Sequence, residues 1–458
     1  MKKPYTLPIT KVFADVKVPE PRISRILIPF LRPLGRLYLF LFYGVARIVL
    51  NGEQACFDAF KRALSKESRC IVAFRHPNGG EPQLLSWFFL FKFRKLAARR
   101  GIRFATRPHA VMVYGYEVVR WGGWVARFVM PRLGGMPIHH AKMDSQGMAR
   151  IYKAITDGPY PVALAPEGQV SYTCDEVPRL EPGVIRMGFN AAERLAAKNS
   201  QCPVEILPVS VHFRFGVWGG MTMELLLRRL EKNCGFSRFQ KTNGEKTKLP
   251  FEERLRQCRE HILAANEERY QIKPCTGSLT FNERLDRVIN AALETAERML
   301  ALKSEGEYFS RLYRLRQHCW DRIYLPGIES FENMSYIERS LKDLRAGEAW
   351  YIGRHQELAD FCWYFRRPLP TDQTALHNRI EYVQNLWDFA SRTIGGAYGD
   401  RVSIFPRKVI IHASPAINLT ERLPSYSKDR KAAVVQAMAD LEKSYINSIE
   451  EANRGEKE

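Results

Sequence analysis

The stretch Arg75-His76-Pro77-Asn78-Gly79-Gly80-Glu81 decides how this chain is read. The apolar run Cys70-Ile71-Val72-Ala73-Phe74 leads straight into it and sets a strand. Pro-Asn-Gly-Gly is turn chemistry, and Pro82 suits the first position of a helix that Glu81 would open. A strand thus hands an imidazole to a loop, with a carboxylate five residues further on. A carboxylate accepting from one ring nitrogen fixes the tautomer and makes the other nitrogen the better base. The plainer alternatives are a structural histidine and a helix-start acid favoured by the dipole.

A second stretch has the same form. Ala163-Leu164-Ala165 ends a strand, and Pro166-Glu167-Gly168-Gln169 turns the chain, with amide N–H groups near Gly168 available to an oxyanion. Its plainer alternative is a strand-end turn with a solvated glutamate. Around these two stretches, short apolar runs alternate with amphipathic ones from 51 to 215, the pattern of an α/β layer fold. Strands are expected at 70–74, 103–106, 110–113, 135–138, 162–165 and 206–211, and helices at 82–100, 145–156 and 182–197.

Upstream, residues 1–22 read as an extended arm. The apolar, arginine-interrupted stretch 23–50 follows, with Pro29 and Pro33 inside it. Its charge-free centre, 37–46, is shorter than the roughly 20 residues a spanning helix needs, which favours an element lying in the membrane interface. A soluble core helix is one alternative, and a spanning helix lengthened by snorkelling Arg36 and Arg47 is the other. Two further stretches read as core or as lipid-facing: Leu84 to Leu90, and Trp121, Trp124, Phe128 and Met130 among Arg120, Arg127 and Arg132. Downstream, 216–404 is helical and heavily charged, with helices expected at 251–270, 281–303, 307–324, 336–344 and 374–394. β character returns at Arg407-Lys408-Val409-Ile410-Ile411-His412, and an amphipathic helix over 428–450 closes the chain. A lone strand after a helical block needs a sheet to join, so the block reads as an insertion into the first domain.

His76, Glu81 and Pro166-Glu167-Gly168 together resemble the glycerolipid acyltransferase family of the bacterial lysophosphatidic-acid acyltransferase type, with its H-x4-D motif and later Pro-Glu-Gly turn. Gly134-Gly135-Met136-Pro137-Ile138 is similar to that family's intermediate strand, and Leu207-Pro208-Val209-Ser210-Val211 to its proline-bearing later strand. The segment from Lys408 to Ile417 is similar to the closing strand. The resemblance covers about half the chain. It implies an acyltransferase-type mixed α/β sheet flanked by helices, built from 51–215 and 405–458, with a membrane-associating segment at 1–50 and the helical insertion at 216–404. It further implies His76 as general base, Glu81 as its orienting acid, and a substrate subsite at Gly135, Pro166, Glu167, Gly168, Gln169 and Pro208. The implied reaction moves a fatty acyl group from acyl-CoA or an acyl-carrier protein to a lysolipid hydroxyl. No cofactor or metal is implied; His139-His140 are adjacent and poorly placed to share one ion. Four positions, in three motifs, depart from the pattern. Glu81 stands where the family has Asp, Ile138 is followed by His139 rather than Arg, and Gln169-Val170 replace Thr-Arg. Lys142, Arg179 and Arg186 are the nearby cations that remain for an acceptor's phosphate.

The charge balance agrees with an anionic partner: 70 Lys and Arg against 49 acids give +21 over 458 residues. The expected place is the cytoplasmic face of a membrane with anionic lipids, held peripherally. Nine cysteines with no CxxC pair read as reduced, mostly buried thiols. Three rival readings stand beside the lysolipid enzyme: an acyltransferase for a non-phosphate acceptor, a catalytically altered lipid-binding relative, and a nucleic-acid binder. The last lacks any zinc-finger or RNA-recognition signature, so no nucleic acid is expected.

Overall fold

The computed structural model describes residues 7–15, 20–116, 118–119, 122–139, 144–242, 245–274, 277–397 and 401–454. Arg120, Trp121, His140 and Lys142, all singled out above, lie outside the described residues. The chain divides into two compact units, one of Met1–Lys17 with Val217–Ile404, the other chiefly of Val18–His139, Met143–Gly216 and Phe405–Glu458.

The arm enters the first unit through β1 (Phe13–Ala14). The second unit begins with α1 (Leu27–Tyr43), β2 (Val45–Asn51), α2 (Glu53–Leu64) and β3 (Arg69–Phe74). After the histidine turn come α3 (Glu81–Trp87), a π-helical segment (Phe88–Phe93), α4 (Arg94–Arg99) and β4 (Val111–Gly115). Then follow α5 (Gly123–Arg132), β5 (Met136–Ile138), α6 (Ser145–Asp157), β6 (Val162–Leu164), α7 (Gly183–Ala197) and β7 (Val204–Phe215). The first unit takes over with α8 (Val217–Cys234), the hairpin β8 (Phe239–Thr242) and β9 (Glu245–Lys248), then α9 (Phe251–Arg269) and α10 (Phe281–Met299). It ends with α11 (Tyr308–Ile323), β10 (Tyr324–Leu325), α12 (Tyr336–Tyr364) and α13 (Leu376–Thr393). The chain then returns as β11 (Arg407–Ala413), β12 (Ile417–Asn418), α14 (Leu423–Lys428) and α15 (Arg430–Arg454).

The sheet is mixed, in the order β2-β11-β7-β3-β6-β4-β5, with β12 also on β7. From β7 to β5 all neighbours are parallel, while β11 runs antiparallel to β7 and parallel to β2. One face carries α2, α3 and the π-helical segment over an aromatic core including Phe57, Phe60, Phe74, Phe88, Phe89 and Phe93. The other packs Ile71, Ala73 and Ile206 against Ile151, Phe189 and Tyr445 of α6, α7 and α15. Alternation along β3 and β7 sends successive side chains to these two cores. The mixed sheet flanked by helices is therefore the architecture.

Several expectations need correction. The boundary at 50/51 falls inside the fold: β2 pairs along β11 from Val45 to Asn51, and arm residues 7–15 belong with the helical unit, where Phe13 and Ala14 pair with Tyr324 and Leu325. β2 was hidden because only Gly44, left-handed at φ +64°, separates it from the apolar helix before it. Residues 103–106 are not a strand. They form part of the connector from α4 to β4, with Phe104 stacked on Phe93 at 5.4 Å. Leu84, Leu85, Phe88, Phe89 and Leu90 are core, whereas Trp124 and Phe128 are exposed. Among the described residues no helix is long and apolar enough to cross a membrane.

In the helical unit, charge is largely consumed internally. Buried Arg254 of α9 is clamped between Glu231 and Glu224 of α8 at 2.6 and 2.9 Å, and buried Glu297 accepts from Arg311 and Arg314 at 2.7 and 3.0 Å.

Candidate active site

Register brings the two key turns together. Ala73 of β3 pairs with Leu164 of β6, so His76 and Glu167, each three residues further on, emerge side by side at one edge of the sheet. His76 Nδ1 lies 2.7 Å from Glu81 Oε2, with Glu81 buried and the imidazole 16% exposed. Glu81 also accepts the backbone N–H groups of Asn78 (3.1 Å) and Gly79 (2.8 Å). Two backbone donors thus fix the carboxylate that in turn fixes the ring. With Glu81 ionised, Nδ1 carries the proton and Nε2 presents its lone pair. Gly79, at φ +97°, lets the loop turn back so that a glutamate at the start of α3 spans the gap.

Glu167 does not face a substrate. It is buried, and it accepts from Arg75 Nε at 2.7 Å and from the His76 backbone N–H at 2.8 Å. Arg75 is equally buried, and its remaining donors reach the carbonyls of Cys174 (3.1 Å), Thr173 (3.0 Å) and Glu176 (2.6 Å). One ion pair therefore ties the histidine loop to the Pro-Glu-Gly turn and to the segment beyond it. The amide of Ser171 completes the tie by donating to the His76 carbonyl at 3.0 Å.

The other expected subsite residues part company. Pro166 is buried, and its carbonyl accepts from Glu181 N–H at 2.6 Å. The Gly168 N–H closes its own turn on Ala165 O at 3.2 Å with φ +71°, so this one amide of the turn is taken up locally. Gln169 is half-buried on the same turn. Pro208 is buried in β7 opposite Ala73. Gly135 enters β5, three strands from β3 and hence roughly 14 Å away at ~4.8 Å per strand. It is a packing glycine: a Cβ there would meet Met130 O at 2.9 Å. Arg179 and Arg186 are exposed on the stretch that runs from the turn into α7.

Two residues that sequence reasoning passed over complete the site. Arg407, buried at the start of β11, donates to Asn78 Oδ1 at 3.2 Å and to Tyr43 O, and lies 4.2 Å over the Phe213 ring. Tyr43 packs on Gly80 so closely that a Cβ there would fall 2.5 Å from its ring. The end of α1 is thereby fastened to the histidine loop. The available signal was an arginine at a strand terminus, at 75 and again at 407, where a solvated charge was the simpler reading.

Comparison with known proteins returned no match: no family model, no curated protein and no solved structure. Fold and site define a class on their own terms, namely mixed α/β proteins with a carboxylate-held histidine at the carboxyl edge of the parallel strands.

Proposed function

We propose that this protein is an acyltransferase, moving an acyl group from a thioester to the hydroxyl of a lysolipid at a membrane surface. The observation that carries the reading is the 2.7 Å bond from His76 Nδ1 to the buried Glu81 carboxylate, which two backbone donors hold. In this mechanism Nε2 takes the proton as the acceptor oxygen attacks the thioester carbon. The tetrahedral intermediate then expels the thiolate, which recovers the proton from the imidazolium, leaving an ester and a free thiol. Glu81 holds the ring in one tautomer and stabilises its charged form. The donor is acyl-CoA or an acyl-carrier protein, and the chain's own residues supply the proton transfer.

A bilayer-borne acceptor is supported by α1. Phe30, Leu34, Leu37 and Leu41 recur at helical spacing and are all more than half exposed, with Phe42 beside them. No acid occurs from Pro21 to Gly52, while Arg22, Arg25, Arg32, Arg36 and Arg47 do. The far end of α5, the helix that exposes Trp124 and Phe128, is tied to the segment before α1, Arg22 and Ser24 donating their amides to Pro131 O and Arg132 O at 2.8 Å. An apolar face with a basic fringe fits an anionic interface. Since Tyr43 closes α1 against Gly80, this face is attached to the loop that carries His76.

The test is thiol release from acyl-CoA with a panel of lysolipids and alcohols as acceptors. His76→Ala is expected to cost about 10²–10⁴ in rate, and Glu81→Gln to lose rate while the protein stays folded. Undiminished transfer by His76→Ala would end the proposal; acceptor binding without thiol release would leave a lipid-binding protein.

A further inference from the structure

The helical unit carries an exposed face whose composition has a direction along the helix. On α8 the exposed residues are Val217, Trp218, Met221, Leu225, Arg228, Arg229 and Lys232. Their spacing of three and four places them on one side of the helix. The first four are apolar, with Trp218 66%, Met221 53% and Leu225 62% exposed, and the last three are cations. No acid is exposed on this helix. Glu231 is buried against Arg254, and Glu224 is half-buried and shared by Arg254, Arg228 and Arg238. The opposite side, with Met223, Leu226, Leu227 and Leu230, is buried in the unit's core. The following hairpin continues the character, with exposed Lys246 and Lys248 on β9 and partly exposed Phe239 on β8. Its root is fixed to α8, Arg238 lying 4.7 Å over the Phe239 ring and 4.0 Å from Glu224.

From this we infer that α8 and the β8–β9 hairpin form a docking face for an anionic phospholipid bilayer, belonging to the helical unit itself. Trp218, Met221 and Leu225 would enter the acyl boundary while Arg229, Lys232 and the hairpin lysines meet the headgroups. Charge complementarity selects the occupant. A helix that neutralises both its acids internally and exposes only cations beside an apolar cluster repels cationic partners. A nucleic acid would leave the apolar half uncovered. The face is distinct from α1, and no acyl transfer enters its test.

The experiment uses the full chain with phosphatidylcholine vesicles, with or without phosphatidylglycerol. Because α1 offers a second route to the bilayer, the deciding readout is local: quenching by brominated lipid, compared between wild type and Trp218→Phe. Greater quenching of the wild type, present only with the anionic lipid, is the expected result. Arg229→Gln with Lys232→Gln should weaken vesicle binding by about fivefold for each cation removed, and Leu225→Ala should reduce the Trp218-dependent quenching. Equal quenching of wild type and Trp218→Phe overturns the inference. So does duplex DNA that binds the full chain, competes with vesicles, and loses affinity in the two-glutamine variant.

Discussion

Arg75 spends its side chain wholly on architecture. Four bonds, one to Glu167 and three to carbonyls, use four of its five N–H donors, and at 1% exposure it is closed off from a substrate. Buried pairs of this kind are costly to break, because the surviving member stays desolvated and unpaired. Arg75→Met should therefore destabilise the fold by about 3–5 kcal/mol in denaturant titration. Adding Glu167→Leu should recover much of that loss. If the double variant is no more stable than the single one, Glu167 is not the group left stranded. The pair could not be read from the sequence: 92 positions separate its members, and only the β3–β6 register makes them neighbours. His76 and Glu81 were legible because turn chemistry and a helix start placed them locally, with no help from the sheet. The residues expected beside a substrate fared differently. Pro208 and Gly135 were chosen for their motif, and both turn out to be occupied with packing.

At the scale of elements, β7 is polar at its far end. Ser210, His212 and Arg214 share the face that meets α15, where the Ser448 hydroxyl donates to Ser210 Oγ at 2.6 Å and Asn453 accepts from Arg214 at 2.6 Å. Burial pushes the His212 imidazole down to about 4, overcoming the Asp175 carboxylate 3.9 Å away, with Arg214 and Arg75 adding to the depression. His412 on β11 is lowered too, again chiefly by burial and against the pull of Glu451. The fold thus refuses a proton that the unfolded chain accepts near 6.5, so stability is full above that pH and declines as pH falls from 6.5 toward 4. Melting by circular dichroism at about pH 7 and about pH 5 should show the loss, and His212→Asn should flatten it. The joint between β2 and α2 has no room for a side chain. Gly52 sits at φ +65°, and a Cβ there would lie 1.9 Å from Ala413 O of β11. Gly52→Ala should cost about 2 kcal/mol or more, read by denaturant midpoint. The sequence showed strands where apolar runs had turns on both sides, as at β3 and β6. It concealed β2, which follows a helix with one glycine between, and it stopped α12 early. That helix was expected to end at 344, yet it continues past Gly347 because Ala346, Ala349, Trp350 and Ile352 are buried.

Taken whole, the molecule keeps most of its net charge outside the insert: residues 217–404 hold 29 Lys and Arg against 26 acids, so only +3 of the +21 lies there. The buried acids of the helical unit, Glu231 and Glu297, are taken up by arginines. The returning strand has a consequence for how the protein is made. Phe215, near the point where the chain leaves the sheet, pairs directly with Arg407, near the point where it comes back. In topological terms β7 and β11 are the two arms of a single hairpin, and all of Val217–Ile404 is its loop. Closing so long a loop from an unstructured chain costs about 3 kcal/mol more than closing a tight turn. If the helical unit forms first, that entropy is already spent and the arms meet as near neighbours. Pulsed hydrogen exchange during refolding should then protect amides of α9 to α13 before those of β11; protection of β11 first would exclude this order. Assembly would run from the inside of the sequence outward, the insert acting as the scaffold on which its host is completed.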